Sequence, residues 1–225
     1  GYSDLALGNI IGSNIANIAF VLGLIILISP IRVEKIFYKT DWPIMMVITI
    51  LFFLLFKNDN SLSRLDGSIL ILVLICYLFF LLFFHKSRLI SEELNEIKNN
   101  ISYPKTFYYI VTGGFLLWLG SEVLINGVID LATNFGVSER IVSLSVVACG
   151  TSIPELTTSI VAIINKEKGI SIGNLVGSNI FDMLGVMGIT ALISPIIVTD
   201  NSLFGDDFLW MLSFSFLILP LLFIN

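Results

Sequence analysis

The sequence predicts an all-α membrane protein, a bundle of transmembrane helices built on an inverted repeat and containing a broken helix. Three observations carry this prediction. Hydrophobic residues make up 56% of the 225 residues and charged residues only 13%, which is more apolar surface than a soluble core can bury. The apolar residues form continuous stretches of about 20 residues, the length that crosses the hydrocarbon core of a bilayer. Two segments near opposite ends of the chain repeat each other.

Seven apolar segments qualify as membrane spans. In chain order they are residues 5–31, 42–56, 67–84, 106–131, 139–164, 170–195 and 205–223. Trp42 and Pro43 fit an interfacial start of the short second span, and Lys57 follows its end. One long polar segment separates the third span from the fourth. We therefore predict three units, which are a group of three spans at 1–85, a linker at 86–105 and a group of four spans at 106–225.

The connections between the spans carry an uneven distribution of positive charge. One side has Arg32, Lys35, Lys39, Lys86, Arg88, Lys98, Lys105, Lys166 and Lys168, and the other has Lys57, Arg64 and Arg140. By the positive-inside rule the 86–105 linker is predicted to be cytoplasmic, with Gly1 on the outer side. The helical spacing of its apolar residues fits either a short amphipathic helix on the membrane surface or a solvated linker; these residues are Ile90, Leu94, Ile97 and Ile101.

Composition also argues against some classes of function. The net charge is −5 and no basic cluster is present, so we expect no nucleic-acid binding. Cys76 and Cys149 lie inside apolar spans without metal-ligand spacing, which predicts buried thiols and no disulfide.

The internal repeat is the strongest feature of the sequence. Residues 8–33, GNIIGSNIANIAFVLGLIILISPIRV, align without gaps with residues 173–198, GNLVGSNIFDMLGVMGITALISPIIV. The copies lie in the first and the sixth spans, an odd number of crossings apart, and therefore traverse the membrane in opposite directions. Secondary transporters use such inverted repeats, with a substrate site near the midplane. Each copy begins with two glycines four residues apart, which predict a close approach of another helix; these are Gly8 and Gly12, and Gly173 and Gly177.

Each copy also carries three polar residues at i, i+4 and i+8, the spacing that places them on one face of a helix. They are Asn9, Ser13 and Asn17 in the first copy, and Asn174, Ser178 and Asp182 in the second. For Asn9 and Asn174, hydrogen bonding between helices explains the pattern as well as a functional role does. Asp182 favours function, because a carboxylate at mid-span costs roughly 2.5–3.5 kcal/mol on insertion scales and rarely persists without a partner.

The fifth span contains a proline within VVACGTSIPELTTSIVAII, residues 146–164. Pro154 has no N–H to give the carbonyl of Gly150, and its ring crowds that carbonyl, so the helix should kink or break near residues 148–151. Carbonyl oxygens freed in this way are tolerated in a membrane where protein buries them or where they face a polar cavity.

Polar side chains surround the predicted break. Thr151 and Glu155 share a helix face at i, i+4, and Ser152 lies beside them. Hydroxyl, carboxylate and carbonyl oxygens together suit Ca²⁺ or Na⁺, and the sequence has no cluster of His or Cys to favour zinc or copper. The simpler alternative is a kinked packing helix whose glutamate snorkels towards the membrane surface.

Further acidic residues lie near these spans. Glu122 is a mid-span carboxylate that fits either an ion pathway or a pairing with a neighbouring polar group. Asp130, Glu139 and Arg140 are expected to be interfacial charges rather than ligands.

These motifs resemble the signature repeats of the sodium/calcium exchanger family, within the cation/calcium antiporter superfamily. In that family each repeat looks like GTS-x-PE followed further along the chain by GN-x-x-GSN. Residues 150–155, GTSIPE, and 173–179, GNLVGSN, resemble a complete second copy. Residues 8–14, GNIIGSN, resemble only the latter half of the first copy.

The resemblance implies ten helices in two inverted halves of five, with broken helices at an ion site. This chain would hold helices three through nine and be incomplete at both ends, so that the GTS-x-PE segment expected to partner Glu155 is absent. The implied ion ligands are the side chains of Glu155, Asp182, Thr151, Ser152, Ser178, Ser13 and Asn17, and the carbonyl of Ala148.

The activity that the resemblance implies is exchange of Na⁺ moving inward for Ca²⁺ moving outward, by alternating access through a lipid bilayer. It implies a transporter rather than an enzyme, with Na⁺ and Ca²⁺ as transported ions and no resident cofactor. Animal exchangers that resemble this family carry large calcium-sensing domains in the linker. The brief 86–105 linker therefore implies a prokaryotic-type, unregulated protein of the cell membrane.

Three other functions stay open from the sequence. A Ca²⁺/H⁺ or K⁺-dependent Ca²⁺ antiporter of the same superfamily would share the fold, although Asn17 opposite Asp182 leaves less charge for additional cations and favours the sodium type. A non-transporting fragment is the second. An intramembrane aspartyl protease would need Asp182 with Asp130 or Glu122 as its catalytic pair, but no glycine-flanked pair of Asp residues on facing helices is evident.

Overall fold

The computed structural model describes residues 2–29, 37–57, 60–85, 102–136, 148–165, 167–198 and 203–222. The α-helices in these ranges are α1 (Tyr2–Ile15), α2 (Leu22–Ile28), α3 (Trp42–Lys57), α4 (Arg64–Phe80), α5 (Tyr103–Asn134), α6 (Ala148–Thr151), α7 (Ile153–Ile164), α8 (Lys168–Phe181), α9 (Met187–Ile193) and α10 (Phe208–Leu222). Turns of π-helix extend or join them at Ala16–Val21, Phe37–Asp41, Leu81–His85, Asp182–Val186 and Leu203–Asp207. Every predicted span contains helix, so the prediction of an all-α bundle is confirmed.

The helices have the length and composition of membrane spans. Five continuous helices in the described ranges are long and apolar enough to cross a bilayer; they cover Ala6–Ile28, Phe37–Lys57, Arg64–Phe83, Tyr103–Leu131 and Ser171–Ile193. Ala148–Ile164 is a shorter apolar helix. The second span is longer than predicted, because the polar residues ahead of Trp42 continue the helix as a π-turn instead of ending it. The protein is therefore a multi-pass membrane protein.

One apolar core joins helices from both copies of the repeat. It includes Leu7 of α1, Phe52 of α3, Leu70 of α4, Ile180 of α8 and Phe208 of α10. The rings of Phe52 and Phe208 stack with their centroids 6.2 Å apart. This core holds α1 and α8, the two helices that carry the polar stripes, in fixed positions.

One close helix contact in the described core is between α4 and α9. A Cβ placed on Gly67 would lie 2.8 Å from the carbonyl oxygen of Gly188, so only glycine fits at this crossing. Next to it, strand β1 (Ser61–Leu62) pairs antiparallel with strand β2 (Ile196–Ile197). These two strands fasten the start of α4 to the chain that follows α9.

The repeat is visible in the helix irregularities as well as in the sequence. The π-turn Ala16–Val21 aligns with Asp182–Val186, and Phe37–Asp41 aligns with Leu203–Asp207 to within a residue. Asn17 and Asp182, which are equivalent positions, both lie in the first of these pairs. Turns of π-helix often mark functional positions, and no sequence pattern predicted these.

Two packing predictions were wrong. Cys76 and Cys149 are exposed rather than buried. Gly173 and Gly177 have no heavy atom of the described residues within 4 Å of an added Cβ, and they border an open cavity of about 310 Å³ between α8 and α4. The physical reason is common to both cases, because lipid is as apolar as a leucine-rich core and composition alone does not say which face of a span is covered.

Several predictions fall outside the described residues. They concern the amphipathic helix in the linker, most of the charges that set membrane orientation, and the interfacial pair Glu139 and Arg140. The division into units at 1–85, 86–105 and 106–225 and the cytoplasmic side of the linker stay predictions.

Candidate ion-binding site

The helix that carries the GTS-x-PE motif is broken, as predicted, but the break lies one residue later than residues 148–151. The backbone stays helical from Ala148 to Thr151, because the amide of Ser152 still donates to Cys149 O at 3.1 Å. Ser152 then leaves the helix with φ −88° and ψ 0°, and Pro154 lies in the first turn of α7. Proline is tolerated there, since first-turn N–H groups have no partner within the helix.

The carbonyl freed by Pro154 accepts a hydrogen bond from another helix. Ser121 of α5 donates its hydroxyl to Gly150 O at 2.9 Å, and both residues are buried. The side chain of Ile125 packs so closely on Gly150 that an added Cβ would clash with it. The idea that this carbonyl joins the ligand oxygens stays a prediction, and sequence reasoning missed Ser121 because its partner lies 29 residues away.

The carbonyl of Ala148 is surrounded by hydroxyl groups. Thr151 Oγ1 donates to it at 3.0 Å and Ser152 Oγ at 3.3 Å. The same hydroxyls lie near the first copy of the repeat, with Thr151 Oγ1 3.5 Å from Asn9 Oδ1 and Ser152 Oγ 3.4 Å from Ser13 O. The broken helix is thus held against α1 by polar contacts.

The two polar stripes cross and exchange partners. Ser13 Oγ donates to Asp182 Oδ2 at 3.3 Å, and Asn17 Nδ2 donates to Ser178 Oγ at 3.1 Å. Ser13 is equivalent to Ser178 and Asn17 to Asp182, so each serine bonds the polar residue one turn further along in the other copy. Such reciprocal pairing requires antiparallel helices, and the predicted inverted repeat is confirmed.

Two asparagines outside the predicted ligand set lock this crossing. Asn17 Nδ2 also donates to Asn179 Oδ1 at 2.9 Å, and Asn179 Nδ2 donates to Asn14 O at 3.3 Å. Asn14 and Asn179 are each 1% exposed. The sequence signal for them was the repeated GSN triplet, whose asparagine lies one residue past each stripe serine.

Two buried oxygens of the predicted ligand residues have no hydrogen-bond partner among the described residues. They are Asn17 Oδ1 and Glu155 Oε2. Leaving a buried polar atom unsatisfied costs about 1–3 kcal/mol, and more for a charged group. The charges of Glu155 and Asp182 are close enough to interact. A bound cation would satisfy the unpaired oxygens and neutralise both carboxylates.

The chemistry of the cluster suits a hard cation. The described residues contain no group of three or more His, Cys, Asp and Glu side chains that could hold a metal. Two carboxylates with hydroxyl, amide and carbonyl oxygens form a set of the kind that Ca²⁺ takes, and soft metals would need His or Cys.

The contacts above link the predicted residues to one another except for the side chain of Glu155, which lies one turn past Thr151 at the start of α7. Glu155, Asp182, Thr151, Ser152, Ser178, Ser13, Asn17 and the Ala148 carbonyl lie on α1, α6, α7 and α8 and the adjoining turns. Their assignment as ion ligands stays a prediction. Glu122 lies on an exposed face of α5 and its Oε1 accepts from Asn126 Nδ2 at 3.5 Å, and Asp130 is also exposed.

Comparison with known proteins places this geometry in a family. The family described as sodium/calcium exchanger protein matches residues 1–83 and 105–225. The putative antiporter CaxA of Alkalimonas amylolytica is 32% identical over 216 residues, which cover 94% of this chain and 67% of CaxA. Inner membrane protein YrbG of Escherichia coli is 31% identical over 199 residues, which cover 85% of this chain and 61% of YrbG.

A solved structure agrees with these relatives. The sodium/calcium exchanger from Methanococcus jannaschii superposes with a TM-score of 0.71 and 26% identity, covering 99% of this chain and 75% of that chain. The chain spans 61% to 67% of the length of the two curated relatives named above. Because the family match covers nearly all of the sequence, the chain belongs to the sodium/calcium exchanger family, whose members are cation transporters and not enzymes.

Proposed function

We propose that this chain forms the ion-binding part of a secondary active antiporter that exchanges Na⁺ for Ca²⁺ across a cell membrane by alternating access. The observation that carries the proposal is the pair of unsatisfied buried oxygens, Asn17 Oδ1 and Glu155 Oε2, on two of the predicted ligand residues. The similar exchanger from M. jannaschii has been studied with Na⁺, Ca²⁺ and Sr²⁺ soaked into it, which supports the choice of ions.

Each proposed ligand has a role in this mechanism. Glu155 and Asp182 supply two negative charges, which one Ca²⁺ or several Na⁺ ions neutralise, so occupancy by one ion excludes the other. The hydroxyls of Thr151 and Ser152 donate to the Ala148 carbonyl and keep oxygen lone pairs for an ion. Ser13, Ser178 and Asn17 complete the neutral oxygen set.

Coupling between the two fluxes follows from the same charges. Without an ion, the bundle would bury uncompensated negative charge in a low-dielectric interior, which opposes conversion between outward and inward states. Binding of either ion lowers that barrier, and each flux then depends on the other.

We propose that Na⁺ and Ca²⁺ are substrates, that no resident cofactor takes part, that the protein is of prokaryotic type, and that the linker is cytoplasmic.

Glu155→Gln in the protein at its full natural length tests the site. The change keeps the shape of the side chain and removes one of the two charges, so Ca²⁺ uptake into vesicles driven by a sodium gradient should fall at least tenfold, about the effect of 1.4 kcal/mol. Uptake of ⁴⁵Ca²⁺ measures this. Glu167→Gln, at an exposed position before α8, is the matched control and should transport normally. Unchanged uptake by Glu155→Gln would contradict the proposed site.

Proton coupling is the second candidate, because Glu155 and Asp182 are titratable and could carry protons in place of Na⁺. Replacing the sodium gradient by a pH gradient in the same vesicles separates the two. Uptake that needs no Na⁺ and follows the pH gradient would favour a Ca²⁺/H⁺ antiporter, and uptake that also requires K⁺ would favour the K⁺-dependent type.

A further inference from the structure

We propose that Asn174 and Thr158 form a clamp that sets the distance between the two carboxylate-bearing elements and thereby the size of the ion accepted. Neither residue is among the proposed ligands, and both act as positioning residues. This inference rests on the proposed function and adds a determinant of ion selectivity to it.

The clamp is a chain of hydrogen bonds from α8 to the first turn of α7. Asn174 Nδ2 donates to Thr158 Oγ1 at 2.9 Å. The Thr158 hydroxyl lies 2.9 Å from Pro154 O and 3.1 Å from Glu155 O, and its single hydrogen is shared between these two carbonyls. Asn174 Nδ2 also lies 3.4 Å from Glu155 O itself. The chain therefore ends on the backbone of the residue whose carboxylate faces the ion.

The other end of the clamp is fixed to the second carboxylate. Asn174 lies one turn before Ser178 and two turns before Asp182 on the same face of α8 and the π-turn that follows. Because Asn174 and Asp182 lie on one rigid helical segment, fixing the position of Asn174 also fixes the position of Asp182. The clamp thus connects Glu155 to Asp182 through two short pieces of helix and one hydrogen-bonded pair of side chains.

The equivalent asparagine in the first copy makes a similar contact. Asn9 aligns with Asn174, and its Oδ1 lies 3.5 Å from the hydroxyl of Thr151 in the broken helix. The two asparagines that precede the stripe serines therefore both contact threonines of the broken helix, Asn9 at Thr151 in α6 and Asn174 at Thr158 in α7.

The spacing of two carboxylates is a sensitive control on ion size. Ca²⁺ is held by oxygens at about 2.3–2.6 Å, and a larger ion such as Sr²⁺ needs its ligands further apart. Bonds inside a low-dielectric region are stronger than in water, so a satisfied polar chain resists a shift of α7 against α8. Loss of the clamp should weaken Ca²⁺ binding and lower the preference for Ca²⁺ over Sr²⁺.

The test compares two neighbouring threonines in the protein at its full natural length. Thr158→Val removes the hydroxyl with little change of shape and should raise the KM for Ca²⁺ about fivefold, roughly the effect of losing one net hydrogen bond. It should also raise the ratio of Sr²⁺ to Ca²⁺ uptake. Thr157→Val removes an exposed hydroxyl that donates to Ile153 O at 2.9 Å and is the matched control. Thr158→Ser keeps the hydroxyl and should restore both values.

A second variant tests the other half of the same bond. Asn174→Ala should resemble Thr158→Val, and the double variant should add little to either, since both remove one interaction. Full additivity, or a Thr158→Val variant that matches Thr157→Val in KM and in the Sr²⁺ to Ca²⁺ ratio, would overturn the inference. A change of maximal rate alone would show a merely structural role and would also overturn it.

Binding measurements keep this test separate from that of the proposed function. Calorimetric titration of purified wild type and variants with Ca²⁺ and Sr²⁺ needs no sodium-driven flux. Failure of the wild type to exchange Na⁺ for Ca²⁺ would reject the proposed function, while a selective loss of Ca²⁺ affinity in Thr158→Val would still support the clamp. Equal affinities in both threonine variants would reject the clamp and leave the exchange intact.

Discussion

The residues that carry charge and those that hold them in place differ in how visible they are in the sequence. Glu155 and Asp182 stand out because a carboxylate in an apolar span has few explanations, and the i, i+4 spacing puts Ser13 and Ser178 on the same faces. Asn14 and Asn179 were missed, since their bonds depend on the angle at which α1 and α8 cross. The candidate ligand residues could be predicted from local spacing. The asparagines that hydrogen-bond to them could be found only from the tertiary contacts.

The hydroxyl of Ser121 offers a test at this scale. Ser121→Ala leaves the buried carbonyl of Gly150 without its donor and should lower the free energy of unfolding by about 1–3 kcal/mol. Thermal unfolding of the purified protein in detergent measures the loss. Ser68→Ala is the control, because Ser68 Oγ donates to Arg64 O at 2.9 Å in an exposed position where water can replace it. Equal melting temperatures for the two variants would contradict this role of Ser121.

The helices show where an element-level prediction succeeds and where it fails. Pro154 predicted a break because its effect is covalent and local, and the break is present, displaced to Ser152. The π-turns at Ala16–Val21 and Asp182–Val186 could not be predicted, since an extra residue in a helical turn leaves no signature in composition or spacing. They matter because Asn17 and Asp182, the residues at which the two stripes differ, both lie in them.

The crossing of α4 and α9 gives a prediction for whole elements. Gly67→Ala brings a Cβ to within 2.8 Å of Gly188 O, and the backbone there has little room to move. Overpacking of this kind costs about 1–3 kcal/mol, so the melting temperature should fall. Gly113→Ala, on α5 where an added Cβ meets nothing within 4 Å, should be neutral or slightly stabilising. A Gly67→Ala protein as stable as Gly113→Ala would show that the two helices separate easily.

The whole bundle was predictable in outline because hydropathy and span parity are properties of long segments. The antiparallel repeat and the helical character of all seven predicted spans followed from them without any knowledge of contacts, and five of the described helices are long enough to cross a membrane. Which faces turn inward did not follow, as Cys76 and Cys149 show, because the solvent of a membrane protein is itself apolar. Gly173 and Gly177 illustrate the same limit, since a ridge of small residues does not say whether a helix covers it.

Membrane orientation is a testable property of the molecule as a whole. The positive-inside rule predicts that Lys105 is cytoplasmic and Lys57 faces the outside, and both side chains are exposed. In a background with Cys76 and Cys149 replaced by Ser, Lys57→Cys should react with a membrane-impermeant maleimide on intact cells. Lys105→Cys should react only after the membrane is opened. The reverse labelling pattern would invert the predicted topology.

The reciprocal exchange between the two crossing stripes has one further consequence. A strictly two-fold arrangement would present the same surroundings to an ion arriving from either face of the membrane, and nothing in it would distinguish entry from exit. Ser13 and Ser178 are the same residue type, but Ser13 donates to the carboxylate of Asp182 whereas Ser178 accepts from the amide of Asn17, because Asn17 and Asp182 differ by a single charge. Within these four residues, that one difference makes the site chemically distinct when it is approached from one face of the membrane or from the other.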